Sequence, residues 1–132
     1  MTHKEYLAQK PIHDNSVHSV LKHLADKEAQ FAHERYGFYH SPHEGLGIVE
    51  EEAQEARWAE KSLRRSVHDL QYAVWNNMEP QHSSRDAYEA ALQLAQEAIH
   101  TAATAKRFIE AAENGADEWY TDTDAGGTEE TE

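Results

Sequence analysis

Between residues 48 and 113 the chain holds no glycine and a single proline, Pro80. A fold of many short strands cannot be drawn through such a stretch, because its turns need residues that accept left-handed or pre-bent backbone. Helices have no such need. The residues that fill the stretch, chiefly Ala, Glu, Gln and Leu, are good helix formers. Two long helices meeting near Pro80 are the simplest consequence.

Local signals set the expected boundaries. Asn15 or Ser16 caps a first helix that runs to Tyr36 through Val17, Val20, Leu21, Leu24, Phe31 and Ala32, and Gly37 ends it. Ser41 is placed to cap a second helix, with Pro42 at its first position and Glu44 three residues after the cap to close a capping box. Its apolar stripe is Leu46, Val49, Ala53, Ala56, Leu63, Val67, Leu70 and Val74, on one long helix or two nearly collinear pieces. Ser84 caps a last helix that reaches about Asn114, with Gly115 as its stop. The main apolar face expected there is Ala87, Ala91, Leu94, Ala98, Ala102, Ala105 and Ile109, small side chains that imply close helix approach. The expected architecture is therefore all-α, a helical bundle of three to four long helices over residues 15–115. A flexible arm, 1–14, precedes it. An acidic disordered tail, 116–132, follows, from which Trp119 and Tyr120 can dock on the body.

The formal charge of −13 over 132 residues excludes several classes of function. Residues 116–132 carry seven acids and no Lys or Arg, and the rest of the chain is still net negative. Such a field repels a phosphate backbone, so no nucleic-acid partner is expected. There is no cysteine, which removes disulfides, thiolate catalysis and Cys-based zinc sites. No apolar run has the length of a membrane span, and "MTHKEYLAQK" shows no signal peptide, so a cytoplasmic protein without membrane contact is expected. The ten histidines form no H-x-x-x-H pair, and Trp58 and Trp75 are read as packing or oligomer contacts.

The stretch "SPHEGLGIVEEEAQEA", residues 41–56, crowds Glu50, Glu51, Glu52 and Glu55 into two turns with no lysine between them. Glu51 and Glu55 are an i, i+4 like-charge pair, which is unfavourable. The helix dipole does not offset this, since its effect fades after the first turn. At about 100° per residue, Glu52 falls on the flank of the stripe made by Val49, Ala53 and Ala56. Glutamate runs on helices are commonly no more than solvated faces. The last helix, however, carries a second face of Glu97, His100, Thr101, Thr104 and Phe108. Carboxylates gathered between two packed helices call for a neutralising hard cation, Mg²⁺ or Mn²⁺.

Two blocks carry a resemblance to a known family. "QFAHERYGFYHSPHEGLGIVEEEAQEA", residues 30–56, is similar to the front half of phage and prophage members of the MazG-like, all-α nucleoside triphosphate pyrophosphohydrolase superfamily. "QEAIHTAATAKRFIE", residues 96–110, resembles their later helix. The resemblance implies an E-x-x-E pair at Glu52 and Glu55 and a third acid at Glu97, holding Mg²⁺ on the triphosphate of a nucleotide substrate. The fourth acid of the family pattern falls at His100, which makes His100 the fourth metal ligand. Glu51 or Glu55 is the expected catalytic residue that orients or deprotonates water. Lys106 and Arg107 are candidates for phosphate contacts, and Tyr36 for base stacking. A homo-oligomer, dimer or tetramer, is implied. Two features depart from the pattern: the histidine at 100, and the 41 residues that separate Glu55 from Glu97. The alternatives are a non-catalytic helical interaction protein that kept the fold, and an acidic mimic of nucleic acid.

Overall fold

The structure is a computed structural model, in which residues 2, 11–114 and 119 are described. They form three long helices, and no strand occurs among the described residues: α1 (Pro11–Tyr36), α2 (Pro42–Trp75) and α3 (Gln81–Asn114). Helices α2 and α3 make an antiparallel hairpin, and α1 lies along α3. The all-α bundle expected from the sequence is what the chain forms. Most of the arm and of the acidic tail lie outside the described residues.

The start of α2 follows the expected chemistry with one change. Ser41 is extended, and its Oγ accepts from the Glu44 amide at 3.1 Å. The Glu44 carboxylate does not close the box on Ser41. It accepts from the His40 amide at 3.0 Å, one residue further back, and from the His40 ring. These bonds hold Glu44 below the usual carboxylate range, led by the amide of His40.

Helix α2 is one unbroken piece. It ends at Trp75 in a Schellman turn: the Met78 amide donates to Ala73 O at 2.7 Å and the Asn77 amide to Val74 O at 3.2 Å. Asn77 takes the left-handed place, φ 55°, that glycine usually fills. Helix α3 then begins at Gln81, earlier than the expected cap at Ser84. The Ser84 hydroxyl instead donates back to Pro80 O at 2.7 Å, inside the first turn. Helix α1 likewise starts at Pro11, ahead of the expected cap at Asn15 or Ser16.

The expected faces are met in part. On α3 the expected Ala87, Leu94 and Ala105 are half-buried and are joined by Glu97, Thr101, Thr104, Phe108 and Ala111, while Ala91, Ala98, Ala102 and Ile109 are exposed. The wider polar and aromatic side chains fill the hairpin seam, and the alanine ridge faces out. On α2 the expected Val49, Ala53, Ala56, Leu63 and Leu70 are half-buried, together with Ile48, Glu52 and Ser66 and the buried Gly45, Ala59 and Ala73, while Leu46, Val67 and Val74 are exposed. Glu52 therefore lies on the inner stripe itself. Helix α1 meets the body through the small residues Ala25 and Ala29, leaving Val17, Val20, Leu21, Leu24 and Phe31 exposed.

The best-packed region lies at one end, where Tyr39, Ala111 and Trp119 are buried with Ile48, Phe108 and Ala112 against them. Phe108 meets Tyr39 edge-on at 6.1 Å and Trp119 edge-on at 5.6 Å. The Trp119 indole donates to Tyr39 O at 3.3 Å, so this residue docks as expected, while Tyr120 lies outside the described residues. Gly45 makes the packing possible. A Cβ there would stand 2.6 Å from Tyr39 Cδ2 and 2.8 Å from Phe108 Cδ2.

Candidate acidic site between the helices

The hairpin brings the distant acids together. Its two arms run antiparallel, so the 41-residue gap between Glu55 and Glu97 becomes a single step across the seam. Glu97 is 7% exposed, buried against α2. Glu55 is half-buried and within hydrogen-bonding reach of Glu97. Glu52 is half-buried, and its Oε2 is fully enclosed with no hydrogen-bond partner. Glu51 is exposed at the rim.

Electrostatics register this crowding. Burial pushes the Glu52 carboxyl above its ordinary value, and the charges of Glu97, Glu51 and Glu28 push the same way against the opposing pull of His100. The charge of Glu52 is the main cause that raises Glu55, followed by burial and by Glu97. These are carboxylates held close without enough positive charge.

His100 lies within the group. Its Nδ1 is 3.1 Å from Glu97 Oε1, and its Nε2 is 3.2 Å from Glu28 Oε1 on α1. The first is a hydrogen bond within α3 and the second an ion-pair approach between α1 and α3. His100, expected as the fourth metal ligand, thus stands between two acids from different helices. Glu28 is the residue that sequence reasoning missed. Its position on the outer stripe of α1 gave no cue, and only the docking of α1 on α3 brings it here.

Two hollows meet at Glu28 and His100. One, about 270 Å³, is lined by both of them with Ile48, Glu52, Thr104 and Arg107. The other, about 330 Å³, is lined by both with Leu24, Leu92, Ala95 and Ile99. The first is charged and the second apolar. Arg107 faces the charged one, held by a bond from its Nη2 to Gly37 O at 3.3 Å and by the Tyr39 ring 4.5 Å below its guanidinium. Its Nε is enclosed without a partner.

The other expected phosphate and base contacts are elsewhere. Lys106 pairs with Asp26 at 3.2 Å, on the side of α3 that carries α1, and does not line the charged cavity. Burial pushes Asp26 up, but Lys106 and Lys22 outweigh it and hold the carboxyl below its ordinary value. Tyr36 is exposed at the end of α1 and lines neither hollow.

All-oxygen donors with an orphaned buried carboxylate oxygen suit Mg²⁺ or Mn²⁺. As the side chains stand, no three His, Asp or Glu among the described residues are arranged to hold an ion. Among the described residues no helix is long and apolar enough to cross a membrane. No family model, no curated protein and no solved structure matches this chain.

Proposed function

We propose that this chain is a divalent-cation-dependent nucleotide pyrophosphohydrolase of MazG-like type, converting a nucleoside triphosphate to the monophosphate and pyrophosphate. The observation that carries the reading is the enclosed, unpartnered Glu52 Oε2 among Glu55, Glu97 and Glu28. Buried carboxylates without partners are costly unless a cation or proton joins them. Glu52, Glu55 and Glu97 would hold the cation, which would neutralise charge on the triphosphate oxygens. Glu51 or Glu55, at the open side of the cluster, would orient water and take its proton. Arg107 supplies a guanidinium that faces the charged cavity and can contact phosphate. The apolar hollow beyond Glu28 and His100 has the character that a nucleobase needs.

A second reading rests on a different observation. Phe31, Trp58, Tyr72 and Trp75 are 58–75% exposed, with Val17, Val20, Leu21 and Leu24 also open to solvent. Apolar surface of this extent marks contacts with other chains. It supports a homo-oligomer within the first reading, and by itself a non-catalytic helical interaction protein.

Pyrophosphate release from a panel of NTPs and dNTPs, dUTP included, with Mg²⁺ or Mn²⁺, separates the two. Metal-dependent release that Glu52→Gln abolishes supports the enzyme. Absence of release from every nucleotide, together with absence of cation binding, supports the interaction protein.

A further inference from the structure

We propose that the outer face of α2 pairs, antiparallel and about a two-fold axis, with the same face of a second copy of this chain, so that Glu50 and Glu51 of each copy meet Arg65 of the other. The pairing rests on the charge pattern of that face and not on any cation between the helices. At about 100° per residue, Glu50, Trp58, Lys61, Arg65, Tyr72 and Trp75 fall on one side of α2, opposite Ile48, Ala59 and Leu63, which face α3. All six are exposed, and from Trp58 onward they recur at the three-and-four spacing of a seam between two helices. Charge along this side is sorted: Glu50 and Glu51 come first, and Arg57, Lys61, Arg64 and Arg65 follow. Glu60 pairs with Arg64, and Gln54 accepts from Arg57 at 2.8 Å. Glu50, Glu51, Lys61 and Arg65 have no hydrogen-bond or ion-pair partner among the described residues.

These charges cannot satisfy one another within one chain. Glu50 and Arg65 are 15 positions apart on an unbroken helix, about 22 Å at the rise of an α-helix. A parallel copy in register would set like charge against like. An antiparallel copy whose axis crosses between Arg57 and Trp58 sets Arg65 of each against Glu50 and Glu51 of the other. It also sets Lys61 against Gln54, and the Arg57 guanidinium against the Trp58 ring. Gly47 then lies opposite His68, and it leaves room, since a Cβ there would meet nothing within 4 Å. The midpoint of Pro42–Trp75 falls between Trp58 and Ala59, next to that axis, so the two helices overlap along nearly their whole length. The chain carries −13, so two copies repel in most orientations. On this face the charges balance: the exposed residues from 50 to 69 include four acids and four Lys or Arg. Trp58, Tyr72 and Trp75, 58–75% exposed, are of the residue types that anchor interfaces. Each copy thereby brings a guanidinium to the rim of the other's acidic group, beside Glu51.

The test is sedimentation of the full chain in low-salt buffer, where exposed charges are least screened. It compares wild type, Arg65→Glu, a variant carrying both Glu50→Lys and Glu51→Lys, and an equimolar mixture of these two variants. Wild type is expected to contain pairs. Each variant alone sets like charges together on both sides of the axis, and its pairing constant is expected to weaken roughly 10-fold or more. The mixture places opposite charges together again on both sides, so it is expected to regain the wild-type mass. The altered side chains are exposed and lie away from the seam with α3, and circular dichroism checks that the helices remain. Recovery on mixing is a result that two misfolded variants would not give. Wild type that sediments as one chain gives the face to another partner and overturns the pairing. Variants that each keep the wild-type mass overturn it too, as does a mixture that stays as light as its parts. Pyrophosphate release and cation uptake are read in separate assays, so the enzyme reading stands or falls apart from these outcomes.

Discussion

Tyr39, in the link between α1 and α2, donates its hydroxyl to the carbonyl of Thr104 on α3 at 2.9 Å. The same ring lies under the Arg107 guanidinium and beside Phe108. One residue thus joins the packed end of the bundle to the helix that carries Glu97 and His100. Burial raises its phenol above the ordinary value, so the hydroxyl keeps its proton and remains a donor. Tyr39→Phe is expected to cost about 1 kcal/mol, the net worth of one hydrogen bond. A chemical-denaturation curve measures it, and an unchanged midpoint would remove Tyr39 from the list of supports.

Gly45 and Gly47 are two residues apart, about half a helical turn, so they face different surroundings, and alanine should act on them with opposite signs. At Gly47 an added Cβ meets nothing within 4 Å, so helix propensity alone acts and Gly47→Ala is expected to stabilise by up to about 1 kcal/mol. At Gly45 the new methyl runs into the rings of Tyr39 and Phe108, which are packed and cannot swing aside. Overpacking of that kind costs about 1–3 kcal/mol and outweighs the propensity gain. Melting curves of the two variants should shift in opposite directions.

Much of this fold was legible in the residues. Ser41 and Pro42 marked the start of α2, and the near absence of glycine and proline after residue 47 marked the long hairpin. The seam-facing side of α3 was only partly legible. Alanine, glutamate and threonine recur at helical spacing on more than one side of α3, and periodicity alone cannot rank two such sides. The seam took in Thr101, Thr104 and Phe108 beside the expected Leu94, since large side chains fill the space between helices better than alanine. Glu52 and Glu97 entered the interior with them. Glu28 was invisible for a related reason: nothing within α1 indicates which of its sides will touch α3.

The raised carboxyl of Glu52 has a consequence for stability. Its folded-state pKa lies above the ordinary 4.5, so the folded chain holds this proton more firmly than the unfolded chain does. Stability from this group is greatest at low pH and is lost as pH rises from 4.5 through the raised folded value. At neutral pH and without divalent cations the charged group is a net penalty, and Glu52→Gln should melt higher than wild type. The comparison at pH 4 and pH 7 is the check: the advantage of the variant should shrink at the lower pH. A variant that melts lower at both would show that the glutamate is already compensated.

Cation uptake should reverse that order. An ion that binds only the folded chain adds about 2.7 kcal/mol at a hundred times its Kd. Wild type is therefore expected to gain melting temperature with Mg²⁺ or Mn²⁺ while Glu52→Gln gains little, so that the two curves cross as cation is added. Equal shifts in both proteins would place the binding elsewhere on this acidic chain.

The outward alanine ridge of α3 makes the last case. Ala98 and Ala102 are exposed and line a hollow of about 490 Å³ with Ala95, Ile99 and Leu21. A single chain of 15.0 kDa that leaves this hollow open, with Leu24 and Phe31 exposed on the neighbouring helix, is expected to associate with copies of itself. Sedimentation should give a mass of two or four chains. Ala98→Glu places a charge on the ridge without touching the seam between α2 and α3, so it should lower the mass and leave the helical signal intact. If wild type already sediments as one chain, the exposed apolar surface is not a self-association surface. If Ala98→Glu retains the full mass, the contact lies on another face, with Trp58, Tyr72 and Trp75 of α2 the next residues to charge.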